Sequence, residues 1–114
     1  MTPKQLLDLV LVDLDDLKAV NISPLDVRNM TPIADFLVIA TGNSSRHVAS
    51  LCENLVRKMK ARNITPLGVQ GDKDEEWVLL DLGDVVVHIM QPRIRDFYNL
   101  EKLWTFEVPQ AANA

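Results

Sequence analysis

Phe36-Leu37-Val38-Ile39-Ala40, followed at once by Thr41-Gly42-Asn43-Ser44-Ser45, decides the fold class of this chain. Five apolar side chains in succession, with no polar alternation, suit a strand covered on both faces and therefore central in a sheet. The polar, glycine-containing stretch after it supplies a turn and a helix cap. Beyond it Val48, Leu51, Cys52, Leu55, Val56 and Met59 recur at helical spacing, while Arg46, Glu53, Arg57, Lys58 and Lys60 fall largely on the other side. That helix stops near Asn63, with Pro66 just beyond.

Toward the N-terminus, Thr2-Pro3 is a cap and first-turn proline. Leu6, Leu7, Val10, Leu11, Leu14 and Leu17 then mark an amphipathic helix running to about Val20, with Asp8, Asp13, Asp15, Asp16 and Lys18 as its acidic solvent side. Residues 21–24 break it, residues 25–27 begin a short strand, and Thr31-Pro32 marks a turn. Toward the C-terminus, residues 67–69 form a short strand and residues 70–76 a polar loop. Residues 77–82 and 85–90 read as strands around a hairpin signal at Leu82-Gly83. Pro92 starts a last helix that ends near Trp104.

The order α-β-β-α-β-β-β-α predicts an α/β, α+β-like fold, a mixed sheet of about five strands covered by helices. The connection from residues 36–40 through the long helix to residues 67–69 reads as a right-handed parallel crossover. Residues 1–104 are expected to form a single domain and residues 105–114 a flexible tail. A chain of 114 residues with 47% hydrophobic content buries enough surface to fold without staples. Cys52 is the single cysteine, which excludes an internal disulfide and suits an inert core thiol. The N-terminus reads as lacking a signal peptide, and the apolar runs fall far short of the ~20 residues that span a bilayer, so a cytoplasmic, membrane-free protein is expected. The net charge of −4 disfavours direct wrapping of nucleic acid and suits a basic protein partner.

Three chemistries were tested against the residues. Gly42-Asn43-Ser44-Ser45 follows a strand and opens a helix, but it carries neither a Walker pattern nor a dinucleotide fingerprint. Metal-dependent nucleotidyl transfer is the sharper enzyme alternative, using Gly42 and Ser44 with Asp81 and Asp84 near the metal. The close carboxylate pair expected about ten residues after the Gly-Ser turn is missing, with Glu53 alone there. His47 and His88 have no third ligand at convincing spacing, so no metal and no cofactor are expected.

Binding is the better-supported reading. An even-length loop at Leu82-Gly83 sets Trp77 opposite His88 and Leu79 opposite Val86. It gathers Trp77, Leu79, Asp81, Val86, His88 and Met90 on one sheet face. A three-residue loop with Gly83 left-handed shifts that parity. His88 interrupts the apolar run 85–90, where it is either a satisfied, partly buried histidine or an interface residue. Ile94, Phe97, Tyr98, Leu100, Leu103 and Trp104 spread beyond one narrow stripe; one side must pack on the sheet, which leaves Tyr98, Leu100 or Trp104 for a partner.

Several stretches together resemble the ribosomal silencing factor (RsfS/Iojap) family. They are Asp35-Phe36-Leu-Val-Ile-Ala-Thr-Gly-Asn-Ser-Ser-Arg-His-Val48, Gly68-Val-Gln-Gly71, Trp77-Val-Leu-Leu-Asp-Leu-Gly-Asp-Val-Val-Val-His88 and Arg95-Asp-Phe-Tyr-Asn-Leu-Glu-Lys-Leu-Trp104. The resemblance runs over roughly residues 5–104 in one order and departs at Gln70, where Glu is usual before Gly71. It implies a nucleotidyltransferase-like fold without catalytic residues. It also implies a non-enzyme that binds a large-subunit ribosomal protein, blocks joining of the small subunit and lowers translation when nutrients are short. Members are often dimeric in isolation, so a homodimer is expected. On that resemblance and the aromatic reading together, the expected contact residues are Trp77, His88, Met90, Tyr98 and Leu100, with acidic support from Asp74, Glu75 and Glu76.

Overall fold

The apolar run becomes the strand β2, Phe36–Thr41, with every residue buried. It lies in a computed structural model that describes residues 1–71 and 76–105. The other elements are α1 (Pro3–Asp16), β1 (Val20–Asp26), α2 (Ser45–Ala61), β3 (Gly68–Gly71), β4 (Trp77–Asp81), β5 (Val85–Met90), α3 (Pro92–Tyr98) and α4 (Leu100–Thr105). The strands form one mixed sheet in the order β1-β2-β5-β4-β3. β2 and β5 run parallel, with Phe36 level with Val85 and Thr41 level with Met90. The other neighbours are antiparallel.

The connection through α2 leads to β3, which runs in the same direction as β2, as expected of a parallel crossover, but lies at the far edge, beyond β5 and β4. Burial explains the choice. β5 is apolar toward both faces and takes the centre, while the short segment Gly68–Gly71 is largely exposed and suits an edge. At the opposite edge β1 begins at Val20, earlier than the expected Leu25. A register shift between Val20 and Ser23, with Asn21 at φ 50°, absorbs the irregular sequence. Pro24 is tolerated there because an edge strand has no second neighbour for its missing N–H.

Helix α1 ends at Asp16 instead of near Val20. Lys18 takes φ 67°, and the Ala19 N–H reaches back to the Leu14 carbonyl at 2.9 Å, which closes the helix in a Schellman turn. Helix α2 ends the same way, with Asn63 at φ 65° and the Ile64 N–H on the Met59 carbonyl. At its start the Ser44 hydroxyl accepts the His47 N–H at 3.1 Å, and His47 Nδ1 accepts the Asn43 N–H at 2.9 Å. Gly42 is required by close approach: a Cβ there would lie 2.8 Å from Val48 Cγ2 and 2.9 Å from the Val48 nitrogen.

α1 and α2 cover one sheet face. Leu6, Leu7, Val10, Leu14, Val48, Leu51, Leu55 and Met59 pack there on Phe36, Val38, Ala40, Val78, Leu80, Val85, Val87 and Ile89. Alternate residues of the same strands, Leu37, Ile39 and Met90, join Leu25 and Val27 in a smaller cluster on the other face. Asp13 corrects the expected acidic solvent side of α1. It lies on the apolar stripe one turn after Val10, is 1% exposed, and pairs with the Arg62 guanidinium at 2.5 and 2.9 Å. That pair ties α1 to the end of α2, and the hydrogen bond to Asp13 raises the Arg62 pKa. Arg62→Ala strands a buried carboxylate, so it is expected to cost ~2 kcal/mol. Asp13→Asn, which leaves no buried charge, should cost less in parallel urea titrations.

Candidate functional site

The hairpin that carries the site turns through Gly83-Asp84, one residue later than expected. The Leu82 N–H bonds the Val85 carbonyl at 3.0 Å across this two-residue loop. Gly83 has φ +90°, open to glycine at little cost, and its N–H donates to the Asp81 carboxylate at 2.8 Å. Trp77 therefore opposes Met90, Leu79 opposes His88 and Asp81 opposes Val86. The pairing moves by two residues, an even number, so the predicted face keeps all six members.

Trp77 reaches His88 along the diagonal. Its indole Nε1–H donates to His88 Nδ1 at 3.0 Å, with the ring centroids 5.8 Å apart. His88 is 8% exposed, and burial lowers its pKa to about 4. It is neutral at pH 7, and because Nδ1 accepts, its proton resides on Nε2. Tyr98, 52% exposed, sits with its ring 4.9 Å from that of Trp77. Phe97, 77% exposed, stands edge-on to Tyr98, also at 4.9 Å. A shallow depression of about 370 Å³ beside them is lined by Gln70, Gly71, Trp77 and Leu79.

The last helix is not continuous. It breaks at Asn99, which adopts φ 48° and ψ 55°, a left-handed conformation that asparagine tolerates better than most residues. The break lets Ile94 and Leu100 pack against the smaller core while Phe97 and Tyr98 stay outside. Arg95 anchors the turn: its Nη1 donates to Thr41 Oγ1 at 2.7 Å and to the Asn21 carbonyl at 2.5 Å, and its Nε to Glu101 at 2.8 Å. The hydrogen bond from Arg95 lowers the Glu101 pKa.

The structure sorts the expected contact residues. Tyr98 is exposed and its ring meets the half-buried Trp77, while Leu100, also half-buried, packs on the smaller core. Met90 is 0% exposed and packs in the smaller core level with Trp77, so the expected direct contact there is corrected to a core position. His88 is likewise turned inward. Glu76 pairs with Arg93, and its carbonyl accepts the Gln91 N–H at 2.9 Å. Asp74 and Glu75, like residues 106–114 of the expected tail, lie outside the described residues. Phe97, which the sequence reading leaves out of the expected contacts, is exposed next to Tyr98.

The residues of the enzyme alternative are not brought together. Gly42 and Ser44 follow the last residue of β2, while Asp81 and Asp84 flank the turn level with its first. The β2–β5 ladder between them is roughly 17 Å long at ~3.3 Å per residue. One metal ion cannot be shared across that distance. No described helix is long and apolar enough to cross a membrane.

A histidine whose pKa is depressed in the fold costs stability as pH falls, because the unfolded chain binds a proton that the native state refuses. The loss begins near pH 6.5 and levels off near pH 4, reaching roughly 3 kcal/mol. Urea unfolding between pH 6.5 and 5, where carboxylates stay ionised, should show this slope in the parent and lose it in His88→Asn.

The family model described as "Ribosomal silencing factor during starvation" matches residues 1–113. A ribosomal silencing factor RsfS from Zymomonas mobilis is 40% identical over 91% of this chain and 78% of its own length. One from Chromobacterium violaceum is 37% identical over 98% of this chain and 92% of its own. A crystal structure of a Chromobacterium violaceum protein, 38% identical, superposes with a TM-score of 0.87 over 91% of this chain and 87% of that one. With the whole length matched in sequence and the same fold found in a solved relative, this chain belongs to the ribosomal silencing factor family.

Proposed function

We propose that this protein represses translation by binding a basic protein of the large ribosomal subunit and physically blocking the small subunit from joining. The observation that carries the reading is the Trp77–Tyr98–Phe97 cluster, a half-exposed indole on the sheet beside two exposed rings on α3, in a chain of net charge −4. Large aromatic side chains lose little conformational entropy on docking and dominate interface energetics. Trp77 and Tyr98 serve as anchors, Leu100 adds apolar contact, and Asp74, Glu75 and Glu76 supply negative charge toward the basic partner. His88 and Met90 act from below.

Steric exclusion needs only affinity and bulk. A domain of about 100 residues has a radius of gyration of roughly 13 Å, far more than an intersubunit contact can accommodate. No bond has to be made or broken, so the protein works as a ligand of the ribosome and not as an enzyme. In this reading it acts in the cytoplasm when nutrients are short, touches little RNA and pairs with a second copy when free.

Subunit joining followed by light scattering tests the proposal. Purified large subunits pre-incubated with the protein should fail to join added small subunits. Trp77→Ala and Tyr98→Ala should each weaken large-subunit binding by about 30-fold, the equivalent of ~2 kcal/mol. Undiminished joining at a saturating excess of the protein overturns it.

A further inference from the structure

Among the described residues, Asp13, Thr41 and His88 are the buried polar or charged side chains, and each is committed to a partner. Asp13 holds Arg62 and Thr41 holds Arg95, both joining separate elements of the fold. His88 holds Trp77, and the sheet ladder already joins β4 to β5 around them. The His88–Trp77 bond therefore adds little to the assembly of the chain. What it does fix is the orientation of one large, half-exposed side chain.

We infer that His88 is a positioning residue: it locks the Trp77 indole into the orientation that docks on the partner. The inference rests on the proposed docking of the large subunit. Its neighbours Ile39 on β2 and Leu79 on β4 are aliphatic, and an aliphatic residue at 88 would fill the same space without burying an imidazole. The imidazole supplies an acceptor 3.0 Å from the indole nitrogen. Two consequences follow. The indole is held before the partner arrives, so its ordering is not charged against binding. The indole N–H is also satisfied within the chain, so Trp77, its ring tilted against that of Tyr98, offers an apolar surface. The partner surface that fits it is aliphatic, including the stems of lysine and arginine, and needs no acceptor for the indole.

The geometry dictates the variants. Asparagine places its side-chain oxygen where histidine places Nδ1, so His88→Asn preserves the acceptor. His88→Leu removes it, and His88→Gln moves its amide out to the reach of Nε2. In ¹⁵N-labelled protein the Trp77 indole cross-peak is identified by its loss in Trp77→Phe. His88→Asn should keep its hydrogen-bonded shift and slow solvent exchange and bind large subunits as the parent does. His88→Leu and His88→Gln, folded by circular dichroism, should lose both signatures and bind roughly 3- to 10-fold more weakly. If Trp77→Ala weakens binding while folded His88→Leu and His88→Gln bind like the parent, the positioning role is overturned and the docking reading stands. If Trp77→Ala itself binds like the parent, both fall.

Discussion

The parallel ladder between β2 and β5 is the constraint on which the molecule is built. Both strands are apolar toward both faces, so each side of the ladder must be covered. α1 and α2 cover one side with a continuous layer of leucine, valine and methionine. The other side is covered only in part, by residues near β1 and by the short α3 and α4. The candidate interface is the place where that second cover runs out. Trp77 and Tyr98 lie at its margin, one from the sheet and one from the helix, and they meet because Arg95 ties α3 to Thr41 and Asn21.

Much of this was legible in the residues because the signals were local and redundant. The unbroken run in β2, the helical spacing of α2 and the glycine in the hairpin each depend on a few neighbouring side chains. Face membership on β4 and β5 survived a mistaken loop position, since side chains alternate with period two and the error was of two residues. The order of strands was less accessible. Whether β5 or β3 pairs with β2 depends on how much apolar surface each buries, a competition among distant segments. β1 was begun too late because a proline and a left-handed asparagine look like a break, although an edge strand tolerates both.

The errors that matter for function have a common origin in single polar residues. Asn99 reads as an ordinary position in a helix of ten or more residues, yet its left-handed conformation ends α3 directly after the exposed Phe97 and Tyr98. Asp13 reads as one more charge on an acidic helix, though its spacing from Val10 places it inward, against a cation about fifty residues away. Periodicity describes where apolar residues go. It is silent about a polar residue on an apolar stripe until the partner is known.

The turn after β2 illustrates how similar local chemistry can serve different ends. A glycine and two serines between a strand and a helix resemble a phosphate-binding turn, and the helix start does present N–H groups. Here Ser44 takes the His47 N–H, and the His47 ring turns back to take the Asn43 N–H. The glycine is explained by Val48, which packs so close that no side chain fits at position 42. The carboxylates that a metal would need stand at the other end of the ladder, with Asp81 bonded to Gly83 in the hairpin turn. A turn that bonds two of its N–H groups internally and whose glycine is demanded by packing supports a scaffold. The aromatic side chains at the margin of the second core are the ones proposed to meet another molecule.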